Sequence, residues 1–194
     1  MGVLHSMATI ALIDGSERTT DPTARDDFDA IVQAHQASLF RFALSYLRDR
    51  DEAHSVTQDC FLRAHRSLAK FRGQSSIHTW LMAILVNLIH DRARSSRWRF
   101  WSRTWSTASQ LETMQHPDRL PTPEAQSILN EKVEAVWRAA ALLPTQQRTV
   151  FLLRFVEDLD LLEIAQVTGL AEGTVKAHLF RAVHTIRESI GGSK

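Results

Sequence analysis

The sequence predicts an all-α protein made of two small helical domains joined by a flexible linker. Apolar residues recur at intervals of three and four along most of the chain, and no stretch alternates apolar and polar residues as a half-buried strand would. Only seven glycines and five prolines occur in 194 residues, so few positions interrupt a helix. A polar stretch at 106–121 separates two such periodic blocks, which indicates two domains.

Composition narrows the class of protein further. Hydrophobic residues make up 44% of the chain and charged residues 23%, as in soluble globular proteins. A single cysteine excludes an intramolecular disulfide. The net charge of +1 is low for a protein that binds DNA alone, because Lys and Arg supply most non-specific affinity. No apolar run is long enough to span a membrane, and residues 7–13 make a poor signal peptide, so we expect no membrane insertion.

The N-terminal block begins with a leader and a long helix. Residues 1–24 show no helical period and predict a flexible leader, within which Met1 or Met7 is the start. From Asp27 an apolar stripe runs to about Arg48 and predicts a core-facing helix. His35 lies on that stripe, where a packed, hydrogen-bonded histidine is favoured over a metal ligand.

The second predicted helix runs from about Asp51 to Lys70. Its buried face carries Ala53, Val56, Cys60, Ala64 and Leu68, and its opposite face carries Gln58, Asp59, Leu62 and Arg66. An exposed leucine therefore interrupts a polar face. A metal site on this helix is rejected, because three or four residues should separate ligands on one helix. His54, Cys60 and His65 are six and five residues apart.

A loop at Phe71–Ser76, broken at Gly73, precedes a third helix from Ile77 to about Arg97. The apolar side of that helix contains Trp80, Leu81, Ile84, Leu85 and Leu88, where Trp80 is expected to be part of the core. The helix runs into five arginines and four aromatics within fourteen residues: Arg92, Arg94, Arg97, Trp98, Arg99, Phe100, Trp101, Arg103 and Trp105. Two interpretations are equally favoured: a helix extension with its aromatics packed on the first domain, or a functional surface, which either tracks a nucleic-acid strand or is buried by an inhibitor.

The C-terminal block predicts four helices. Thr122 and Pro123 begin the first, which ends before Pro144, and the second runs from Thr145 to about Asp158. Asp160 with Glu163 predicts a capping box, and Gly169 predicts the end of the short third helix. The fourth helix runs from about Glu172 to Ile190.

The last two helices predict a helix-turn-helix, in which the second helix enters a DNA major groove. When that helix is projected, its core face contains Val175, Leu179, Ala182, Val183, Ile186 and Ile190. The other side carries Lys176, Ala177, Phe180, Arg181, His184 and Arg187. An aromatic residue exposed among cations favours contact with bases over contact with solvent.

Three regions of the sequence resemble one family, the extracytoplasmic-function (ECF) sigma factors of bacterial RNA polymerase. Residues 143–170 and Glu172–Ala182 resemble its C-terminal promoter-reading domain, σ4. Thr57–Ala64 resembles the polymerase-binding segment (region 2.2). Phe71-Arg-Gly-x-Ser, Thr79-Trp-Leu81, Val86-Asn87 and Asp91-Arg92 resemble the −10 reader. The resemblance divides the chain at 25–97 (σ2-like), 98–122 (extension and linker) and 123–194 (σ4-like).

This resemblance implies an alternative sigma factor that lacks catalytic residues and cofactors and acts in the cytoplasm. Its partners would be core polymerase (the β′ clamp coiled coil and the β flap), promoter DNA and an anti-sigma factor. The resemblance implies core binding by Gln58, Asp59, Leu62 and Arg63, and −10 binding by Phe71, Gln74, Ser75, Ser76 and Asn87. With the projection above, it implies −35 binding by Lys176, Ala177, Phe180 and Arg181.

The chain departs from the family pattern at four places, which predict altered affinities. They are His54-Ser55, Ile77-His78, Ala177-His178 and Ala171, which stands where a serine N-cap is usual. The alternative function is a stand-alone helix-turn-helix regulator. That alternative explains 160–190 but leaves 51–92 without a role. An enzyme is a third class, but no paired carboxylates, nucleophile motif, P-loop or metal spacing supports it.

Overall fold

The computed structural model describes residues 22–94 and 123–191, with side chains described over 28–94 and 131–191. These ranges contain seven α-helices, one short 3-10 helix and no strand, which confirms the all-α class. The α-helices are α1 Pro22–Leu47, α2 Arg50–Ser67, α3 Ile77–Arg94, α4 Pro123–Ala141, α5 Thr145–Phe155, α6 Leu161–Thr168 and α7 Glu172–Gly191. Most of the predicted leader, the predicted linker and the Arg/aromatic segment beyond residue 94 lie outside the described residues.

Helices α1, α2 and α3 pack together as an N-terminal group. Helix α1 begins at Pro22, five residues before the expected start, and proline fits a first turn because that turn needs no backbone N–H bond. Arg48, in the left-handed region (φ 56°), ends the helix, and the Asp49 carboxylate accepts from the Glu52 N–H at 3.0 Å to cap α2. The expected end of α2 at Lys70 is instead a 3-10 turn at Leu68–Lys70.

Helices α4 to α7 form a C-terminal group in which α7 packs against α4, α5 and α6. Helix α5 stops at Phe155, short of the expected end, and Asp158 adopts a left-handed conformation (φ 52°) that a continuing helix cannot contain. The loop from Val156 to Asp160 therefore connects α5 to α6.

The two groups are in direct contact, which the sequence did not predict. Helix α3 packs against α6, and α1 packs against α5. The buried apolar residues of both groups belong to one cluster, from Phe28 and Leu39 in α1 to Ala182 and Ile186 in α7. The functional surfaces therefore lie on one joined helical body. None of the helices in the described ranges is long and apolar enough to cross a membrane.

Candidate nucleic-acid and protein interfaces

One candidate protein interface is the outward face of α2. The opposite face is buried by Ala53, Val56, Cys60 and Ala64, which fixes the rotation of the helix. Gln58 and Arg63 are exposed, Asp59 is half-buried, and the Leu62 side chain is 57% exposed. These four predicted residues thus form one surface, here called the α2 face. Single exposed apolar side chains are common on protein surfaces, so the exposure of Leu62 makes it accessible to a partner without identifying one.

Asp59 is held in place by an arginine from another helix. Arg92, near the end of α3, donates to Asp59 and to the Glu52 carboxylate at 2.8 Å, and its Nη2 also lies 3.2 Å from the Ser55 hydroxyl. One guanidinium with two carboxylates fixes the register of α2 on α3. Arg92 therefore belongs to this ion-pair network. Of the other members of the Arg/aromatic segment, only Arg94 is described, and it lies 3.5 Å from Asp91.

The predicted −10 residues lie along one face of α3 and in the loop before it. The Phe71 ring packs on the Trp80 ring with centroids 5.0 Å apart. Trp80 and Asn87 are seven residues apart, so they lie on the same face of α3, about 10 Å apart along its axis. Asn87 is exposed, and Trp80 is half-buried against the core, as predicted. Phe71, Trp80 and Asn87 thus lie along one line, here called the α3 line, which begins in the loop before α3 and ends in an exposed amide.

The loop between Phe71 and α3 combines exposed side chains with a cap. Gly73 has φ 68°, a left-handed conformation that favours glycine, and Gln74 beside it is exposed. The Ser76 hydroxyl lies 3.0 Å from the Thr79 N–H and 2.7 Å from the Thr79 hydroxyl, so Ser76 is the N-cap of α3. Its hydroxyl thus shapes the loop, although Ser76 is exposed as Gln74 is, whereas Ser75 is half-buried. Sequence reasoning placed Ser76 in the loop but missed this capping function.

The predicted helix-turn-helix is present as α6, a turn at Gly169–Ala171, and α7. The capping box is confirmed in both directions: the Asp160 carboxylate accepts from the Glu163 N–H at 2.8 Å, and the Glu163 carboxylate accepts from the Asp160 N–H at 2.9 Å. Gly169 ends α6 with φ 69°. The Ala171 carbonyl accepts from Thr174 and Val175, so backbone bonds begin α7.

The exposed face of α7 is the candidate DNA-reading surface. Val175, Ala182 and Ile186 are buried, as the projection requires, and the Phe180 side chain is 72% exposed. Arg181 is exposed beside it, and the Lys176 ammonium lies 2.8 Å from the Glu172 carboxylate one turn earlier. Ala177, also predicted to face bases, is half-buried. Phe180, Arg181 and Lys176 therefore form the accessible part of this α7 face.

His54, Cys60 and His65, which the sequence raised as possible metal ligands, have separate surroundings. The His54 ring stacks on Phe40 at 4.2 Å, and the His65 ring meets the edge of Phe28 at 5.0 Å. Burial raises the pKa of the Cys60 thiol to about 12, and its sulfur lies 3.5 Å from the Leu81 carbonyl oxygen. In the described part of the chain, no cluster of His, Cys, Asp or Glu is placed to hold a metal.

Two family models match the chain. The model described as "Sigma-70 region 2" matches residues 31–99, and the model described as "Sigma-70, region 4" matches residues 133–186. The first match contains the α2 face and the α3 line, and the second contains the helix-turn-helix.

Characterised proteins with similar sequences are RNA polymerase sigma factors. The chain is 32% identical over 166 residues to the RNA polymerase sigma-H factor of Pseudomonas aeruginosa, covering 84% of this chain and 86% of that one. It is 26% identical over 168 residues to the ECF RNA polymerase sigma factor SigW of Bacillus subtilis, covering 86% and 90%.

Two solved structures share the fold. One is the sigma factor RpoE in complex with the anti-sigma factor NepR from Bartonella quintana, with a TM-score of 0.61, 23% identity, and coverage of 87% of this chain and 99% of that one. The other is CnrH in complex with the cytosolic domain of CnrY, with a TM-score of 0.62, 21% identity, and coverage of 89% and 96%.

Proposed function

Since the chain belongs to the extracytoplasmic-function subfamily of sigma-70 RNA polymerase sigma factors, we propose that it uses the α2 face for polymerase, the α3 line for the −10 element and the α7 face for the −35 element. It is an alternative sigma factor, a transcription-initiation factor that binds polymerase and promoters. The observation that carries the assignment is that both sigma regions occur in one chain, in order. A stand-alone helix-turn-helix regulator is not favoured, because it leaves region 2 without a role.

Polymerase binding is assigned to Gln58, Asp59, Leu62 and Arg63. In support, Leu62 is exposed at the centre of a polar helix face, where a partner surface would remove it from water. Arg92 already fixes the Asp59 side chain in the free chain, so binding a partner costs little further conformational entropy at Asp59. The partner surface is the β′ clamp coiled coil in this proposal, and the β flap contacts the C-terminal group.

Opening of the −10 element is assigned to the loop 71–76 and Asn87. A base that leaves the duplex costs a few kcal/mol, and an aromatic platform with a hydrogen-bonding amide offsets that cost. Phe71 on Trp80 supplies the platform, and Asn87 supplies the amide on the same helix face. Gln74 and Ser75 contact the backbone or the base from the loop. Ser76 contributes by capping α3, and its hydroxyl reaches DNA only if it leaves Thr79.

Recognition of the −35 element is assigned to Lys176, Ala177, Phe180 and Arg181 on α7. An arginine in the major groove can donate two hydrogen bonds to guanine, which discriminates by about 1–3 kcal/mol. Phe180 offers an apolar contact that suits a thymine methyl group. Lys176 must exchange its bond to Glu172 for a DNA contact, which reduces its net contribution. Ala177 can contribute only a small apolar contact.

The chain acts in the cytoplasm, where its polymerase and promoters are, and an anti-sigma factor controls it. The support for such control is the shared fold with a sigma factor whose structure contains an anti-sigma factor. Polymerase carries out the chemistry, and no side chain of the chain takes a catalytic role.

Run-off transcription with purified core polymerase tests this function. Addition of the full chain should produce transcripts with defined starts on a subset of promoters from the source genome, whereas core polymerase alone should not. Sequence-specific DNA binding by the chain alone, with no transcript in the presence of core polymerase, would support the stand-alone regulator instead.

A further inference from the structure

One guanidinium joins the end of α3 to three side chains of α2. Arg92 lies in the last turn of α3 and donates from Nη1 to the Glu52 carboxylate at 2.8 Å. Its Nη2 donates to the Asp59 carboxylate and lies 3.2 Å from the Ser55 hydroxyl. Residues 52, 55 and 59 are three and four apart, so they share one face of α2, and a single arginine from outside that helix spans them. Of these side chains, only Asp59 belongs to the α2 face.

The Asp59 carboxylate has a second cation within reach on its own helix. Arg63 follows it by four residues, and an acid followed by a cation at this spacing is the favourable order for an ion pair along a helix. The Arg63 guanidinium is nevertheless exposed, and within the described ranges it pairs with no carboxylate. Asp59 pairs instead with Arg92, across the two helices. The α2 face therefore presents a fixed carboxylate and an available guanidinium beside Leu62.

Loss of Arg92 would change this arrangement of charges. Without a partner on α3, the Asp59 carboxylate would turn to Arg63, and the two charges would satisfy each other on the helix surface. Charges must be available in the free chain if they are to match those of a partner. A pair formed on α2 would have to separate before either group could bind polymerase, so the binding-competent fraction of the chain would fall.

We propose that Arg92 is a positioning residue for polymerase binding: by holding Asp59 from α3, it prevents an Asp59–Arg63 pair on α2 and keeps Arg63 available to polymerase. This inference rests on the proposed function, because it explains how the α2 face is kept ready for its partner. Arg92 acts through Asp59 and is not itself a polymerase contact. Both of its terminal nitrogens are bonded to α2, so this arginine does not belong to a surface that tracks a nucleic-acid strand.

Three substitutions divide the network. Arg92→Met removes the charge but keeps an unbranched side chain, so Asp59 loses its partner on α3. Glu52→Gln is the matched control, because it breaks the other half of the network and leaves Asp59 on Arg92. Arg92→Lys keeps a charge but not the planar fork that spans two carboxylates, so it should retain part of the effect. Arg92, Glu52 and Asp59 are 22%, 42% and 48% exposed, and ion pairs this accessible to solvent contribute little to stability, so all three variants should fold.

The measurement is the Kd of the full chain for core polymerase without DNA, by fluorescence anisotropy, with urea unfolding to check stability. Arg92→Met should raise the Kd roughly five- to tenfold, Arg92→Lys should raise it less, and Glu52→Gln should change it by less than about twofold. A double-mutant cycle separates positioning from a general loss of structure. In an Asp59→Asn background, Arg92→Met should raise the Kd by less than about twofold, because no carboxylate remains to be positioned. An equal rise in both backgrounds, or a rise in neither, would overturn the positioning role.

An Arg63→Gln background tests the pairing on α2. Arg92→Met should again change the Kd by less than about twofold there, because Asp59 then has no cation four residues away to pair with. The full five- to tenfold rise in that background would overturn the claim that Arg92 keeps Arg63 available, since Arg92 would then act on Asp59 alone.

Failure of the proposed function has a different signature. If the α2 face does not bind polymerase, Leu62→Asp and Arg92→Met should both bind core polymerase as the wild type does, and the inference falls with the face. If the face binds polymerase and Arg92 has no positioning role, Leu62→Asp alone should lose affinity.

Discussion

Leu62 offers the most direct test of the polymerase surface. Full burial of a leucine side chain stabilises a complex by about 1.5–3 kcal/mol relative to exposure, and 57% of this side chain is available for burial. Leu62→Ala should therefore lower the affinity for core polymerase by about 1–1.5 kcal/mol, or roughly five- to tenfold. Leu62→Asp adds the cost of an unpaired carboxylate in an apolar contact and should lower affinity by roughly a hundredfold or more.

The fold should tolerate both substitutions. Leu62 is already exposed, so the free energy of unfolding should change by less than about 0.5 kcal/mol. A control is Ala34→Asp, because Ala34 is exposed on α1, in the same group of helices but outside the α2 face. Fluorescence anisotropy with labelled chain and core polymerase gives the Kd, and urea unfolding gives the stability. Normal affinity of Leu62→Asp, or equal losses in both aspartate variants, would refute the assignment of the α2 face.

Three further predictions concern DNA and pH. Asn87→Ala and Phe71→Ala should leave closed-complex binding intact but reduce permanganate reactivity of thymines in the −10 region severalfold, and unchanged reactivity would contradict the α3 line. Arg181→Ala should relax preference at one −35 base by about 1–3 kcal/mol, whereas Arg187→Ala should weaken all sequences alike; transcription from a library of −35 variants separates a base contact from a phosphate contact. Burial, and then Arg94, lower the pKa of His90, so its neutral form stabilises the fold above the ordinary pKa of 6.5 and that stability is lost as pH falls below it. Urea unfolding at pH 7.5 and 5.5 should therefore show an acid-induced loss that His90→Gln reduces, and an equal loss in the variant would exclude His90 as a source.

Local sequence rules predicted the elements that depend on a few adjacent residues. The capping box at Asp160 and Glu163 and the left-handed Gly169 follow from backbone groups within one turn, so their residue types and spacing were sufficient. The two faces of α7 were predictable for a similar reason, because the helical repeat of about 3.6 residues determines which side chains point to the core. The N-cap at Ser76 could also have been predicted, because a serine directly precedes the first residue of α3.

Contacts between distant residues could not be predicted in the same way. Arg41 and Glu157 are 116 residues apart, and Asp59 and Arg92 are 33 apart. The chain has 23 Lys and Arg and 22 Asp and Glu, so each of these residues has many possible partners of opposite charge in the sequence. Only the packing of α1 on α5 and of α2 on α3 selects the partners. The site residues themselves remain predictions, because exposure establishes that they can be reached and does not identify what reaches them.

From the low net charge we expect DNA binding by the chain to depend on polymerase. With a net charge of +1, the chain gains little from releasing the counterions that surround DNA, so non-specific binding is weak at cellular salt. We expect polymerase to present the chain to both promoter elements, so that binding at one element raises the effective concentration at the other and two weak contacts become one strong contact. Mobility-shift assays should therefore show the chain alone binding promoter DNA weakly, and binding should become sequence-specific only with core polymerase. Tight, salt-resistant and sequence-specific binding by the purified chain without polymerase would contradict this expectation.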